Sequence, residues 1–147
     1  MNEILQKLID TAPIYQEILQ QDIAFSISDM EKYIYMLETD LLKFPFPVGT
    51  RIDEGGYEVV LNMIKETRKP FINFVPREVS GTVPLKAIVA PIFDEDEMVG
   101  LFSVSVNVDK EEKVEVASEK LTQSVEQVYG LIDTITNAAD GLNNMLQ

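Results

Sequence analysis

Two cationic side chains occupy positions from which they could bind an anionic ligand. Lys86 lies in the otherwise apolar run Leu-Lys-Ala-Ile-Val-Ala at 85–90, where a charge needs a partner or access to water. Arg77 directly follows the strand-like run at 71–76. Either side chain could bind the carboxylate or phosphate of a small molecule. The commoner alternatives are an edge-strand lysine whose amine reaches water and a surface ion pair involving Arg77 and its neighbour Glu78.

Six aromatic side chains at strand spacing could line a cavity for such a ligand beneath a helical crossover. Aromatic residues at this spacing also fill ordinary cores, so both interpretations stay open. The six are Phe25, Tyr33, Tyr35, Phe71, Phe74 and Phe102. The ligand-site hypothesis combines Tyr33, Tyr35, Phe74 and Phe102 with the cations Arg77 and Lys86.

The residue types leave little for catalysis. The chain has no His and no Cys, which removes the commonest general base, thiol chemistry and thiolate metal sites. Ser103 and Ser105 interrupt an apolar strand and could face a ligand, but no base stands near them to make a nucleophile. An enzyme would have to use carboxylates such as Asp53 and Glu54, and nothing in their spacing supports this. We therefore expect no enzymatic activity and no catalytic residue.

Two short motifs could bind ions. The acidic run Asp94-Glu95-Asp96-Glu97 could hold a divalent cation, but it lacks the spaced ligands and the glycine of a calcium loop. A solvated hairpin turn is the favoured interpretation. Gly55-Gly56 could place an anion at a helix N-terminus, although a helix-initiating turn explains the pair better. We expect no metal and no cofactor.

Composition argues against two classes of partner. The 147 residues include 25 acidic and 12 basic side chains, for a net charge of −13, and no stretch is rich in Lys or Arg. Nucleic acids and anionic membranes both bind clustered cations, so we expect neither. The first residues lack the pattern of a signal peptide, and the longest apolar stretch, at 87–93, is too short to span a membrane. We expect a cytoplasmic protein.

Hydrophobic periodicity predicts five strands and three main helices. A helix comes first, and Pro13 should kink it or divide it in two. Two strands, a helical connection, three strands and a long helix follow. The helices are predicted at 2–20, 57–67 and 109–146, with a helical turn near Leu41, and the strands at 22–28, 32–37, 71–76, 84–92 and 99–108.

An apolar stripe runs along the last helix at alternating steps of four and three. This is a heptad repeat with apolar seam positions and mostly polar residues between them, which predicts a coiled coil. The seam residues are Leu121, Val125, Val128, Ile132, Ile135, Ala139, Leu142 and Leu146. Two-helix and four-helix arrangements both fit the pattern.

The order of elements, two strands, a helical crossover and a three-strand meander, resembles sensor domains of the PAS or single-Cache type. Local sequence sharpens this resemblance, through the runs Phe-Pro-Val-Gly at 46–49, Lys-Pro at 69–70, Val-Pro-Arg-Glu-Val at 75–79, Gly-Thr-Val-Pro-Leu-Lys-Ala at 81–87, Pro-Ile-Phe-Asp at 91–94 and Val-Gly at 99–100. On these runs the chain at about 10–110 is similar to the N-terminal sensor region of soluble cytoplasmic methyl-accepting chemotaxis proteins of Gram-positive bacteria. The resemblance implies an α+β fold with one five-stranded antiparallel sheet, flanked by an N-terminal helix and a long C-terminal helix.

The resemblance implies a function for each part of the chain. The tail from Leu121 is similar to the start of the methylation helices in those receptors, where Gln123, Glu126 and Gln127 are nearest in type to methylated residues. In the family, a later hairpin tip contacts a histidine kinase and its coupling protein. The sequence stops before that tip, so the resemblance implies an input fragment or a truncated receptor.

These observations predict three segments: an N-terminal helix at 1–20, a PAS/Cache-like sensor domain at 21–108 and a coiled-coil signalling helix at 109–147. The expected function is ligand sensing for a chemotaxis or other signal-transduction receptor, with a signal passed to a homodimer held by its terminal helices. The alternative is a dimerisation or protein-interaction module that binds no ligand.

Overall fold

The structure is a computed structural model that describes residues 1–54 and 57–146. The chain divides into two compact units, the first spanning Met1–Asp109 and the second beginning at Lys110. Each unit is considered by itself. The first contains the sheet and the shorter helices, and the second consists of the long terminal helix.

The elements follow the predicted order. The helices are α1 (Glu3–Leu19), α2 (Glu58–Thr67), α3 (Arg77–Ser80) and α4 (Asp109–Leu146), and the strands are β1 (Ile23–Ser28), β2 (Tyr33–Leu37), β3 (Phe71–Val75), β4 (Leu85–Asp94) and β5 (Glu97–Asn107). All strand pairs are antiparallel, and the sheet order is β2-β1-β5-β4-β3. The predicted α+β fold, with a five-stranded antiparallel sheet between an N-terminal helix and a long C-terminal helix, is confirmed.

The structure differs from the predictions in local details. Helix α1 continues through Pro13, so of the two outcomes predicted there, a kink or a division, the division into two short helices is wrong. Ala12 is fully buried, and the Gln16 side chain donates to the Ile23 carbonyl at 2.9 Å, so tertiary contacts hold both halves of the helix in place. The described residues near Leu41 form bends rather than a helical turn. The four-residue helix α3 was not predicted, because a single turn is too short to show periodicity.

The two faces of the sheet are covered differently. One face packs against α2 and the connection after β2, where Tyr33, Ile64 and Leu101 belong to one buried cluster. The opposite face packs against α1, where Leu5 and Ile27 belong to a second cluster. We call these the crossover face and the α1 face. Apolar side chains are buried on both faces of the sheet, and this burial supplies the main driving force for the fold.

Candidate functional site

A cavity of about 360 Å³ lies on the crossover face of the sheet, and we call it the sheet cavity. Its floor includes Ala24, Ser105 and Ala87, which pair directly across β1, β5 and β4. Strand residues that face a core are usually large. Here three small side chains stand next to one another across β1, β5 and β4, and the space that larger side chains would fill is left open. The cavity volume therefore depends on both the size of these residues and the strand register that aligns them.

The rest of the lining comes from the connection after β2 and from the region around α3. Apolar side chains dominate this lining, and Thr82 Oγ1 donates to the Leu41 carbonyl at 3.1 Å, which ties the two segments together. Leu42 is buried, and it packs with Ala24 and Val83 in a third cluster. The further lining residues are Leu41, Lys43, Phe44, Pro45, Tyr57, Val75, Val79, Ser80, Thr82 and Leu85.

Polar groups are few in the sheet cavity. The hydroxyl groups of Ser105 and Tyr57 can donate hydrogen bonds, whereas those of Ser80 and Thr82 already donate to the Val83 and Leu41 carbonyls and can only accept. Lys43, which is exposed, is the one cation among the described residues of the lining. A mostly apolar cavity of several hundred Å³ with a few convergent polar groups is the usual form of a small-molecule site.

Two neighbouring tyrosines, the buried Tyr33 and the half-buried Tyr57, have raised pKa values. Burial raises the pKa of Tyr57, which lines the sheet cavity. Burial, followed by the nearby phenol of Tyr57, raises the pKa of Tyr33 far above its ordinary value. The two rings meet edge to face at 6.1 Å between centroids. Both phenol groups are neutral at neutral pH, as ordinary tyrosines are, and burial extends the neutral form to higher pH.

The rim of the sheet cavity connects to the beginning of α4. Val79 and Ser80 of α3 line the cavity, and Arg77 of the same helix forms an ion pair with Asp109. Asn107 Oδ1 accepts the backbone N–H of Asp109 at 3.0 Å, and the Val108 N–H donates to the Pro84 carbonyl at 3.0 Å. The first residue of α4 is thus held by groups next to the cavity.

The residues of the ligand-site hypothesis do not share one cavity in the described chain. Tyr33 is buried on the crossover face, in contact with Phe46 and Tyr57, but it is not part of the cavity lining. Tyr35 and Phe102 belong to the cluster under α1, on the opposite face. Of the four aromatic residues in that set, Tyr33 lies on the face that holds the sheet cavity, and Tyr35, Phe74 and Phe102 lie on the α1 face.

The remaining members of that set lie at the outer part of the α1 face or at the cavity rim. Phe74 is 67% exposed, and Lys86, its partner across β3 and β4, places Nζ 5.9 Å from the Phe74 ring centroid. Arg77 pairs with Asp109 and not with Glu78. Phe25 packs beside Phe102, and Phe71 joins the crossover-face cluster.

Of the two serines singled out in β5, one lines the sheet cavity. Ser105 lies in the cavity floor, and Ser103 occupies the same face, where it pairs with Ser26 and Val89. The missed lining residues come mainly from the irregular segment at 41–45. The small residues Ala24 and Ala87 could have indicated a gap in the core. Their sequence positions do not show that they are neighbours, because that depends on how β1 and β4 each pair with β5.

The charged motifs have structural partners. Asn2 Nδ2 donates to Asp94 at 3.0 Å, and Arg68 donates to the Asp96 carbonyl at 2.9 Å, so two helices hold the acidic hairpin turn. In the described ranges no three His, Cys, Asp or Glu residues cluster in a way that could hold a metal. Arg51 hydrogen-bonds Asp53 and lowers the pKa of that carboxyl group. Glu54 donates its backbone N–H to Asp53, and Gly55-Gly56 lies outside the described residues.

Helix α4 carries an exposed apolar stripe. Every seam residue is exposed, and Val125 and Ile132, at 46% and 50%, are among the less exposed. From Leu131 onward the stripe widens, because Leu131, Ala138 and Met145 add a third apolar position to each heptad. A strict two-position seam suits a coiled coil, and three positions suit a helix bundle. Gln123, Glu126 and Gln127 are exposed outside the seam.

A second, larger cleft of about 620 Å³ lies near the start of α1. Met1, 76% exposed, and the exposed Glu31, Lys32 and Glu97 are part of its lining. Asp29, also in the lining, accepts the backbone N–H groups of Glu31 and Lys32 in a local turn. The cleft is a surface depression without the enclosing segments of the sheet cavity, so it is the weaker candidate.

Comparison with known proteins gives one informative relative. No family model matches the chain. The chain is 26% identical over 121 residues to a protein of Bacillus subtilis (strain 168) that carries the provisional name sensory transducer protein YfmS. The match covers 82% of this chain and 41% of that protein, so the chain spans about two fifths of the relative's length.

None of the helices in the described ranges, including the 38-residue α4, combines the length and the hydrophobicity that crossing a bilayer needs.

Proposed function

We propose that this chain is the ligand-sensing input region of a signal-transduction receptor, with the sheet cavity as the ligand site. The observation that carries the proposal is the route from the cavity to α4. Residues of α3 line the cavity, and Arg77 of that helix pairs with Asp109, the first residue of α4. A ligand that favours one position of α3 would thereby act on the start of the long helix.

The cavity chemistry favours a small ligand with an apolar body and an anionic end. Apolar side chains form most of the lining, and Lys43 is its one cation. The hydroxyl groups of Ser105 and Tyr57 would donate hydrogen bonds that orient the polar end. A short-chain carboxylate fits this pattern. Because the chain has a net charge of −13, a cation such as Lys43 is needed at the cavity to attract an anion.

The receptor context extends the proposal beyond the cavity. We place the chain in the cytoplasm, as the PAS/Cache-like input region of a methyl-accepting chemotaxis receptor. The support is the five-stranded sheet with its helical crossover, the similarity to the Bacillus subtilis relative and the heptad stripe of α4. Two chains would pair along that stripe, and the complete receptor would act on a histidine kinase and its coupling protein.

The test uses the full chain and a panel of aliphatic monocarboxylates with their matched amides. Thermal-shift screening is followed by calorimetric titration of any binder. We expect saturable binding of at least one carboxylate and weaker binding of its amide. Replacing Lys43 with Met should reduce the affinity for the carboxylate about tenfold, the usual effect of removing one charge-assisted contact.

A matched pair of variants tests the location of the site. Ala87→Phe adds bulk to the cavity floor and should abolish binding. Ile88→Phe adds bulk at the adjacent position of β4, which faces the other side of the sheet, and should preserve it. Equal binding by both variants, or equal loss in both, would contradict the assignment of the sheet cavity.

The competing function is an interaction module without a ligand. The observation in its favour is the amount of apolar surface exposed on both units, for example at Ile18, Phe74 and Leu121. Dimerisation that is independent of every compound in the panel, together with binding of none, would support this alternative.

A further inference from the structure

Helix α1 carries apolar residues on the side away from its own sheet. Leu5 and Ala12 are buried against the sheet, whereas Ile14 is 50% exposed and Ile18 is 69% exposed one turn later. A helix that is apolar on both sides is normally covered on both sides. The outward surface at Ile14 and Ile18 therefore lacks a partner within the described chain.

The sheet face beside α1 has a complementary uncovered area. Helix α1 packs with β1, β2 and the far end of β4, where Ile92 joins its cluster. At the other end of β4 and on β3, Ile72 is 54% exposed and Phe74 is 67% exposed. Ile88 pairs with Ile72, and Lys86 pairs with Phe74, so these residues form one strip on the α1 face.

The helix and the strip carry opposite charge. No Lys or Arg occurs between Lys7 and Lys32, and Glu17 is exposed next to Ile18. The strip contains Lys86, which has no carboxylate within ion-pair distance among the residues that the structure describes. Opposite charges beside two apolar surfaces favour one docking register over others.

We infer that a second copy of this chain covers both surfaces, with the outward side of α1 from each copy lying on the β3–β4 strip of the other. The two surfaces lie side by side on the same face, so one two-fold axis would bury both at once and place the two α1 helices between two sheets. Such an interface is self-complementary and closed. It rests on the homodimer of the proposed function, but it is independent of ligand binding.

The absence of cysteine allows a direct test by disulfide crosslinking. Two full-length single variants, Ile18→Cys and Phe74→Cys, are mixed and oxidised. Both positions are exposed in the single chain, so neither substitution should disturb the fold. The control mixture pairs Ile18→Cys with Val59→Cys, which is 69% exposed on α2, on the crossover side of the sheet.

We expect the Ile18–Phe74 mixture to give a yield of crosslinked dimer about tenfold above the control, because contact across an interface raises the effective thiol concentration. A disulfide needs the two Cα atoms within roughly 7 Å, so a high yield reports close contact. A yield equal to the control, a higher yield from Ile18→Cys alone, or a monomer by light scattering would each overturn the inference. Neither position lines the sheet cavity, so both variants should bind a carboxylate from the panel as the wild type does. Calorimetric titration of the two variants with that carboxylate therefore tests the ligand proposal separately from the crosslinking.

Discussion

Arg77 and Asp109 form an ion pair across 32 residues of sequence. The pair joins α3, which lines the sheet cavity, to the first residue of α4. Both side chains are partly exposed, at 47% and 22%, so the pair contributes little to global stability. Its position gives it a local role in holding the start of α4.

Loss of this ion pair should loosen the start of α4 and leave the fold intact. Arg77→Ala should lower the free energy of unfolding by less than about 1 kcal/mol, because water screens an exposed pair. Amide exchange in the first turn of α4 should become faster, as measured by hydrogen–deuterium exchange. Arg51→Ala, which removes the similarly exposed ion pair with Asp53, is the control and should leave that exchange unchanged. Equal exchange rates in both variants would contradict the role of Arg77.

Gly100 marks a close approach between β5 and β1. A Cβ atom at this position would lie 2.1 Å from the Ser28 carbonyl oxygen and 3.1 Å from a Leu5 methyl carbon. Gly100→Ala should therefore destabilise the domain by about 2 kcal/mol or more, because backbone must shift to admit the methyl group. Chemical denaturation measures this change.

The control substitution for Gly100 is Gly130→Ala in α4, where a Cβ atom meets nothing within 4 Å. Alanine should stabilise that helix by roughly 0.5–1 kcal/mol, because glycine is a poor helix former. The two substitutions should thus have opposite signs. A Gly100→Ala protein as stable as the wild type would show that the strands are farther apart than the structure has them.

Stability should fall at alkaline pH because of Tyr33 and Tyr57. Burial raises the pKa of both phenol groups in the folded chain above the ordinary value of about 10. The unfolded chain therefore loses these protons first, so the stabilisation is complete below about pH 10 and is lost as the pH rises further.

Denaturant unfolding at a series of pH values measures this effect. Tyr33→Phe should flatten the alkaline decline, since the group that titrates differently in the two states is gone. Tyr129→Phe, at a position 65% exposed on α4, should leave the decline as it is in the wild type. A Tyr33→Phe curve parallel to the wild-type curve would contradict the assignment to Tyr33.

The seam of α4 should hold two chains together. Val125→Asp with Val128→Asp places two charges in the apolar stripe, and the solution mass by light scattering should shift towards the monomer. Gln123→Asp with Gln127→Asp adds the same charge outside the seam and should leave the mass unchanged. A dimer that survives the seam substitutions would place the main interface on the first unit.

The strands were predictable from the sequence, because alternating apolar residues indicate a half-buried sheet. The face of the sheet to which each side chain points was harder to predict. Tyr33 and Tyr35 are two residues apart in β2 and should share a face. The pairing of β1 with β2 shifts register between Ile27 and Ser28, and the two tyrosines pack in clusters on opposite faces. A local irregularity of this kind leaves no trace in hydrophobic periodicity.

The sheet cavity was hidden from the sequence for a related reason. Ala24, Ala87 and Ser105 are far apart in the chain, and only the pairing of three strands puts them in one row. Much of the remaining lining comes from the irregular segment after β2. There Thr39 and Leu42 form hydrogen bonds with each other in place of the predicted helical turn. Ser105 is predictable from the sequence, because a polar residue within an apolar strand is visible from its immediate neighbours.

The central claim, that a ligand binds in the sheet cavity, is tested most directly by an NMR titration of the full chain with labelled alanine methyl groups. Ala24 and Ala87 line the cavity, and Ala12 and Ala90 lie outside its lining and serve as internal controls. With the carboxylate panel, we predict saturable shifts of the Ala24 and Ala87 methyl signals and little change at Ala12 and Ala90. The absence of any saturable shift at Ala24 and Ala87 with every carboxylate tested would contradict the claim.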